Sequence, residues 1–136
     1  MTTLRREVLL GAPIEAVWGA VRDIGALHTR LVPGFVVDTQ LVEDGRIVTF
    51  ANGMVVHEPI IDIDEERHRI CWTALGAPLT HYNASFELYA EGEMTRGVWI
   101  ADLLPHEAAD FVAPMMQEGL SAMTRAFGDG SQSATK

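Results

Sequence analysis

The chain's means of doing chemistry are five histidines, one cysteine and a small set of aromatic residues with polar tips. His57 stands out. From Met54 to Ile63, Glu58 and Asp62 prefer water, which turns Val55, His57, Pro59 and Ile61 inward if the segment is a strand with two-residue alternation. From His81 to Ala90 an apolar set (Tyr82, Ala84, Phe86, Leu88) alternates with a polar one (His81, Asn83, Ser85, Glu87), so Tyr82 also points inward. An imidazole beside a phenol in apolar surroundings can move a proton to or from a bound molecule, making His57 and Tyr82 the candidate catalytic pair. The plainer alternative is a hydrogen-bonded histidine that orients a ligand or a water. Asn83 and Asp102 form a second constellation. A hairpin centred on Gly92-Glu93 pairs them across two strands on the outer face; a slip of one residue would carry both into the interior, where His81, Asn83 and Asp102 would make an alternative polar site.

Other chemistries find no support. The histidines at 28, 57, 68, 81 and 106, with Cys71, lack zinc-ligand spacing, so no metal is expected. No Ser-His-Asp arrangement, nucleophile elbow or glycine-rich phosphate loop is present, and no cofactor is implied. A lone cysteine forms no intrachain disulfide; Cys71 is expected outside, beside Arg69, and inert. His28 and Arg30 fall near the mouth of the expected interior, where a guanidinium could meet a ligand carboxylate; solvated loop residues are the plainer reading.

The elements that must position these residues are legible in the pattern. Met116, Leu120, Met123 and Phe127, extended by Val112 and Gly119, form the apolar stripe of a C-terminal helix from His106 to Phe127. Pro105 suits its start, Gly128 its stop, and Pro114 predicts a kink or a short helix feeding a longer one. Methionines at 115, 116 and 123 give this surface an adjustable character. At the other end, Thr3–Leu10 reads as a strand. Ala12-Pro13 opens a helix with Ile14, Val17, Trp18 and Val21 on one face, and a second short helix runs from Ile24 to Leu31. From Phe35 the period becomes strand-like, with Asp44-Gly45 and Asn52-Gly53 as hairpin turns. Strands over Arg69–Ala74, His81–Ala90 and Thr95–Leu104 complete an antiparallel meander. Ile70 and Trp72, then Trp99, Ala101 and Leu103, fall on its inner face. Strand, helix pair, meander, long helix: the order is α+β with the helices on one face.

With 136 residues the chain is expected to form one domain over 1–127, with a flexible tail over 128–136. A formal net charge of −9 argues against nucleic acid and anionic membrane as partners. No apolar run is long enough to span a bilayer and the first residues lead into no secretory segment, so a cytoplasmic protein without membrane insertion is expected.

Ala12-Pro13-Ile14-Glu15-Ala16-Val17-Trp18 followed by Asp23, the closing run Trp99-Ile100-Ala101-Asp102-Leu103-Leu104-Pro105 into a methionine-rich helix, and the block His81-Tyr82-Asn83-Ala84-Ser85 resemble the START-like (SRPBCC) superfamily. The resemblance runs from Leu4 to Phe127. It implies the helix-grip fold of birch-pollen-type allergens, polyketide cyclase/dehydrases and lipid-transfer domains: a curved antiparallel sheet around a long C-terminal helix, with a hydrophobic cavity between. Many relatives carry Trp-x-Pro near the end of the second helix; here the stretch is His28-Thr29-Arg30-Leu31-Val32-Pro33.

These features point to a domain that binds a hydrophobic or aromatic small molecule, with His57, Trp72, Tyr82, Trp99, Met116 and Leu120 around it. One alternative is a cyclase/dehydrase with His57 as general acid/base and Tyr82 donating to a developing enolate. Another is a homodimeric interaction module using a sheet edge.

Overall fold

The computed structural model describes residues 2–76 and 78–130. Its elements are β1 (Thr2–Leu10), α1 (Ile14–Arg22), β2 (Val36–Val42), β3 (Gly45–Phe50), β4 (Val55–Asp64), β5 (Arg69–Thr73), β6 (His81–Glu91), β7 (Met94–Leu104) and α2 (Ala109–Phe127). Short helical turns at Ile24–Ala26 and Leu27–Leu31 lead from α1 to β2, and another at His106–Ala108 leads into α2. The seven strands form one antiparallel sheet in the order β1-β7-β6-β5-β4-β3-β2. Strands β2 to β7 are thus sequential neighbours, while β1 closes the far edge against β7. Thr95, fully buried, donates its hydroxyl to the Ala12 carbonyl at 2.7 Å and ties β7 to the start of α1.

The α2 stripe is buried as its periodicity predicts: Val112, Met116, Gly119, Leu120 and Met123 all face the sheet side. Gly119 is a point of close approach. A Cβ there would stand 3.0 Å from the Trp99 ring and 3.3 Å from that of Phe35, so the absent side chain lets helix and aromatic wall meet. α2 runs through Pro114 as one continuous helix. The expected short leading helix is the single turn at His106–Ala108. The tail expected to be loose from Gly128 begins as structure: the Gly11 amide donates to Gly128 at 3.0 Å, and Asp129 bridges to Leu10. Residues 131–136 of that expected tail lie outside the described residues. No helix among the described residues is long and apolar enough to cross a membrane.

The hairpins follow their turn signals, and the β6–β7 register is the expected one, with Phe86 opposite Trp99 and Asn83 opposite Asp102. β4 departs from expectation. Its pairing with β5 shifts between Ile60 and Asp62, because Ile61 is an extra residue bulged out of the ladder and 60% exposed. After the bulge Asp62 faces out, as expected. Before it, the alternation is reversed: Val56 and Glu58 face in, while Val55 and His57 face out. Glu58 tolerates the interior because Arg46, its direct partner on β3, donates Nε to Oε1 at 2.9 Å with both side chains at most 10% exposed. The sequence reading excluded Glu58 from the core as a lone carboxylate. It is one half of an ion pair.

Breaking such a pair from one side leaves an uncompensated buried charge, whereas replacing both halves by apolar residues removes the desolvation cost as well. Glu58→Gln is therefore expected to destabilise the fold by about 3 kcal/mol or more. The double variant Arg46→Met, Glu58→Leu should lose much less. Urea denaturation midpoints at constant m-value check both; equal losses would contradict this account of the β4 register.

Candidate functional site

A cavity of about 120 Å³ opens between the sheet and α2. Its sheet wall is aromatic: Trp72 from β5, Tyr82 and Phe86 from β6, and Trp99 from β7. These residues come together because each lies on the inward parity of an adjacent strand. The Trp72 and Trp99 rings are 6.0 Å apart and tilted, and Phe86 meets Trp99 edge-on at 6.4 Å. The opposite wall is α2, contributing Phe111, Val112, Met115, Met116 and Met123, joined by Met54 from before β4. Leu27, Leu31 and Val32 close one end, with Phe35 and Phe50 packed edge-on at 5.2 Å. One wall is rigid and aromatic. The other is largely thioether and can adjust.

Polar groups are few. Arg46 and Glu58 are the only charged residues lining the cavity among the described residues. Their 2.9 Å pairing makes that patch neutral overall, and Arg46 Nη1 also reaches the Ile24 carbonyl at 3.4 Å. Burial pushes the Tyr82 hydroxyl far above the ordinary tyrosine value, and the negative charge of Glu58 adds to the shift; the neighbouring Trp99 N–H acts the other way and is the smallest cause. Tyr82 therefore holds its proton at any ordinary pH. Trp99 Nε1 is buried with no hydrogen-bond partner of good geometry.

The sequence-predicted residues separate into three groups. Trp72, Tyr82, Trp99 and Met116 line the cavity as expected. Leu120 is buried in the core beside it but does not line it. His57 is the main correction. It sits on the reverse face of β4, one-third exposed, with Nε2 2.7 Å from Asp44 Oδ1 in the turn before β3. The bulge at Ile61 moved it there, so His57 and Tyr82 are not a pair across the cavity. His81, Asn83 and Asp102 share the outer face, and the slipped register that would have brought them inside does not occur. Asp102 accepts a hydrogen bond from the Thr3 hydroxyl at 2.5 Å, securing β1 to β7.

Arg30 is engaged with Asp23 at 2.9 Å and His28 Nδ1 lies 3.0 Å from the Thr39 hydroxyl; neither lines the cavity. Cys71 faces away from the cavity but is buried rather than exposed. Burial pushes its thiol up, outweighing the opposite influence of Arg69. Sequence reasoning missed Arg46 and Glu58. The available signal was their own complementarity: alternation from Val48 and Phe50 places Arg46 inward, and a buried arginine calls for a carboxylate directly across the hairpin.

The comparisons agree with this geometry. The family profile described as polyketide cyclase/dehydrase and lipid transport matches residues 1–128. Among solved structures, an uncharacterised protein from Bacillus thuringiensis superposes with a TM-score of 0.84 at 19% identity, covering 94% of this chain and 100% of that one. An aromatase/cyclase, Zhui, from Streptomyces sp. R1128 gives 0.72 at 17% identity, covering 92% and 90%. A START superfamily protein from Mycobacterium smegmatis gives 0.69 at 14%, covering 91% and 92%. At these identities the structural likeness speaks for the fold alone. No match was found among curated proteins. With a helix-grip architecture, a cavity between sheet and C-terminal helix, and a family match over nearly its whole length, the chain belongs to the polyketide cyclase/dehydrase and lipid transport family.

Proposed function

We propose that this protein binds a small hydrophobic or aromatic molecule in the cavity between its sheet and α2. The observation that carries the reading is the cavity itself: about 120 Å³ of apolar space, walled by Phe50, Trp72, Tyr82, Phe86 and Trp99 of the sheet and by methionines of the helix. An interior designed only for stability would close such a void, since lining atoms without partners forfeit dispersion energy. The volume is close to the roughly 150 Å³ of an apolar cavity that accepts benzene. The methionine wall provides the small expansion that a substituted ring needs.

The cyclase/dehydrase alternative loses its general acid/base with His57 on the reverse face. Within the cavity an acid/base role would fall to Glu58 or Tyr82. Glu58 is held by Arg46, and Tyr82 keeps its proton, so neither stands ready to abstract one. That balance favours binding over turnover.

Benzene titrated into methyl-labelled protein is expected to shift the resonances of Val21, Val36, Ile70, Val112 and Met116, which line the cavity, and to leave exposed Val55 and Ile61 unmoved. Val56→Phe, which puts a ring into the space from β4, should weaken that binding about tenfold or more while leaving the melting temperature unchanged or higher. Shifts confined to surface methyls would refute the reading.

Tyr82 also leaves a signature in stability. Its hydroxyl ionises at a higher pH in the folded protein than in the unfolded chain, so stability from this group is complete below about pH 10. Above that, the unfolded chain releases a proton that the native state retains, and stability falls as pH rises. Tyr82→Phe should flatten the decline in denaturation midpoint between pH 10 and 11; an undiminished slope would place the alkaline loss elsewhere.

A further inference from the structure

Trp99 Nε1 is the single buried side-chain polar atom without a hydrogen-bond partner among the described residues. An N–H in an apolar interior with no well-placed partner in the protein favours any acceptor that can reach it. The acceptor near it within the fold is the Tyr82 hydroxyl, which the N–H influences without meeting it in good hydrogen-bond geometry. The ring is fixed between Trp72, Phe86 and Gly119, so the indole cannot swing outward without displacing α2. The same ring lines the cavity, with the Tyr82 hydroxyl as its neighbour in that wall. An indole N–H can only donate. What it lacks is a well-placed acceptor.

The charge of the wall narrows the choice of acceptor. An anionic ligand would need a free cation, and the one cation on the cavity among the described residues, Arg46, is already matched by Glu58 at 2.9 Å. A ligand carboxylate would therefore meet a carboxylate as well as a guanidinium, after being stripped of water itself. A cationic ligand meets the same compensated pair. The size of the space sets the third condition, about one ring.

Resting on the cavity-binding reading, we infer that the ligand is a neutral, single-ring molecule carrying one acceptor oxygen, a ketone, aldehyde or ester carbonyl, which receives the Trp99 Nε1 hydrogen. Tyr82, keeping its hydrogen, stands beside it as a second donor for the oxygen's other lone pair. A pure hydrocarbon would fill the volume but leave the indole unsatisfied. An acceptor completes the wall.

The test is calorimetric titration of the full chain with four probes: ethylbenzene, acetophenone, benzoate and 2-acetonaphthalene. Acetophenone and ethylbenzene have nearly the same size, and only the ketone carries an acceptor. The ketone is expected to bind about tenfold more tightly than ethylbenzene after correction for their different transfer from water. Benzoate and 2-acetonaphthalene should each be weaker than acetophenone by about tenfold or more. Trp99→Phe, which removes the donor and also alters the cavity wall, should lower the ratio of ketone to ethylbenzene affinity, Tyr82 remaining as the other donor; an unchanged ratio would overturn the role given to Trp99.

Equal affinity for ketone and hydrocarbon in the wild-type protein would overturn the acceptor inference and leave the cavity reading standing; this comparison needs no variant. Benzoate binding as tightly as acetophenone would overturn the neutrality of the ligand. Preference for the two-ring ketone would overturn the size limit. Failure of all four probes to bind would defeat the cavity reading itself, and the inference with it.

Discussion

Arg46 and Glu58 can occupy an apolar wall only together, and much of the site depends on that constraint. Either charge alone would be expelled to solvent or neutralised. Placed opposite one another on β3 and β4, they satisfy each other at 2.9 Å and remain inside. Their pairing requires β4 to present Glu58 inward, while Asp62 further along the strand must face water. A strand with strict two-residue alternation cannot do both, because positions 58 and 62 share a parity. The bulged Ile61 resolves the conflict by adding one residue between them. The local kink that accompanies a bulge also suits a sheet that has to curve around a helix.

The two walls of the cavity then have different mechanical characters. The sheet wall is built from aromatic rings on three consecutive strands, each locked by hydrogen-bonded neighbours and by edge-on or tilted contacts with the next ring. The helix wall is anchored at Gly119, where no side chain separates α2 from Trp99, and becomes methionine-rich toward its N-terminal end. Unbranched thioethers repack at little cost, so changes in ligand shape fall on α2 and the sheet stays fixed. A hydrogen-bond donor mounted on the rigid wall, as Trp99 Nε1 is, keeps its direction while the opposite wall yields.

Which parts of this were legible in advance follows the physics. The α2 stripe, the Asp44-Gly45 and Asn52-Gly53 hairpins and the β6–β7 register rest on local signals: helical periodicity, turn chemistry, and alternation over long, uninterrupted strands. These placed Trp72, Tyr82, Trp99 and Met116 at the cavity before any coordinates. β4 resisted the same reasoning. Counting back from Asp62 without the bulge turns His57 inward and Glu58 outward, and one extra residue reverses both. A bulge has no composition signature comparable to Asn-Gly, so nothing local announced it.

The amino-acid sequence by itself determined the architecture, α+β with a meander and a gripping C-terminal helix, because periodicity and turn residues act over a few neighbours. It also determined which strands are aromatic inside. Tertiary structure alone decided the polarity of the cavity. Whether a charged or polar side chain is inside depends on whether its partner arrives from another strand, as Arg46 does for Glu58, or fails to arrive, as for Trp99 Nε1. It also decided that His57 belongs to Asp44 on the reverse face rather than to Tyr82. The pattern of a single strand carries its own alternation; the energy of burying a charge belongs to a pair of strands.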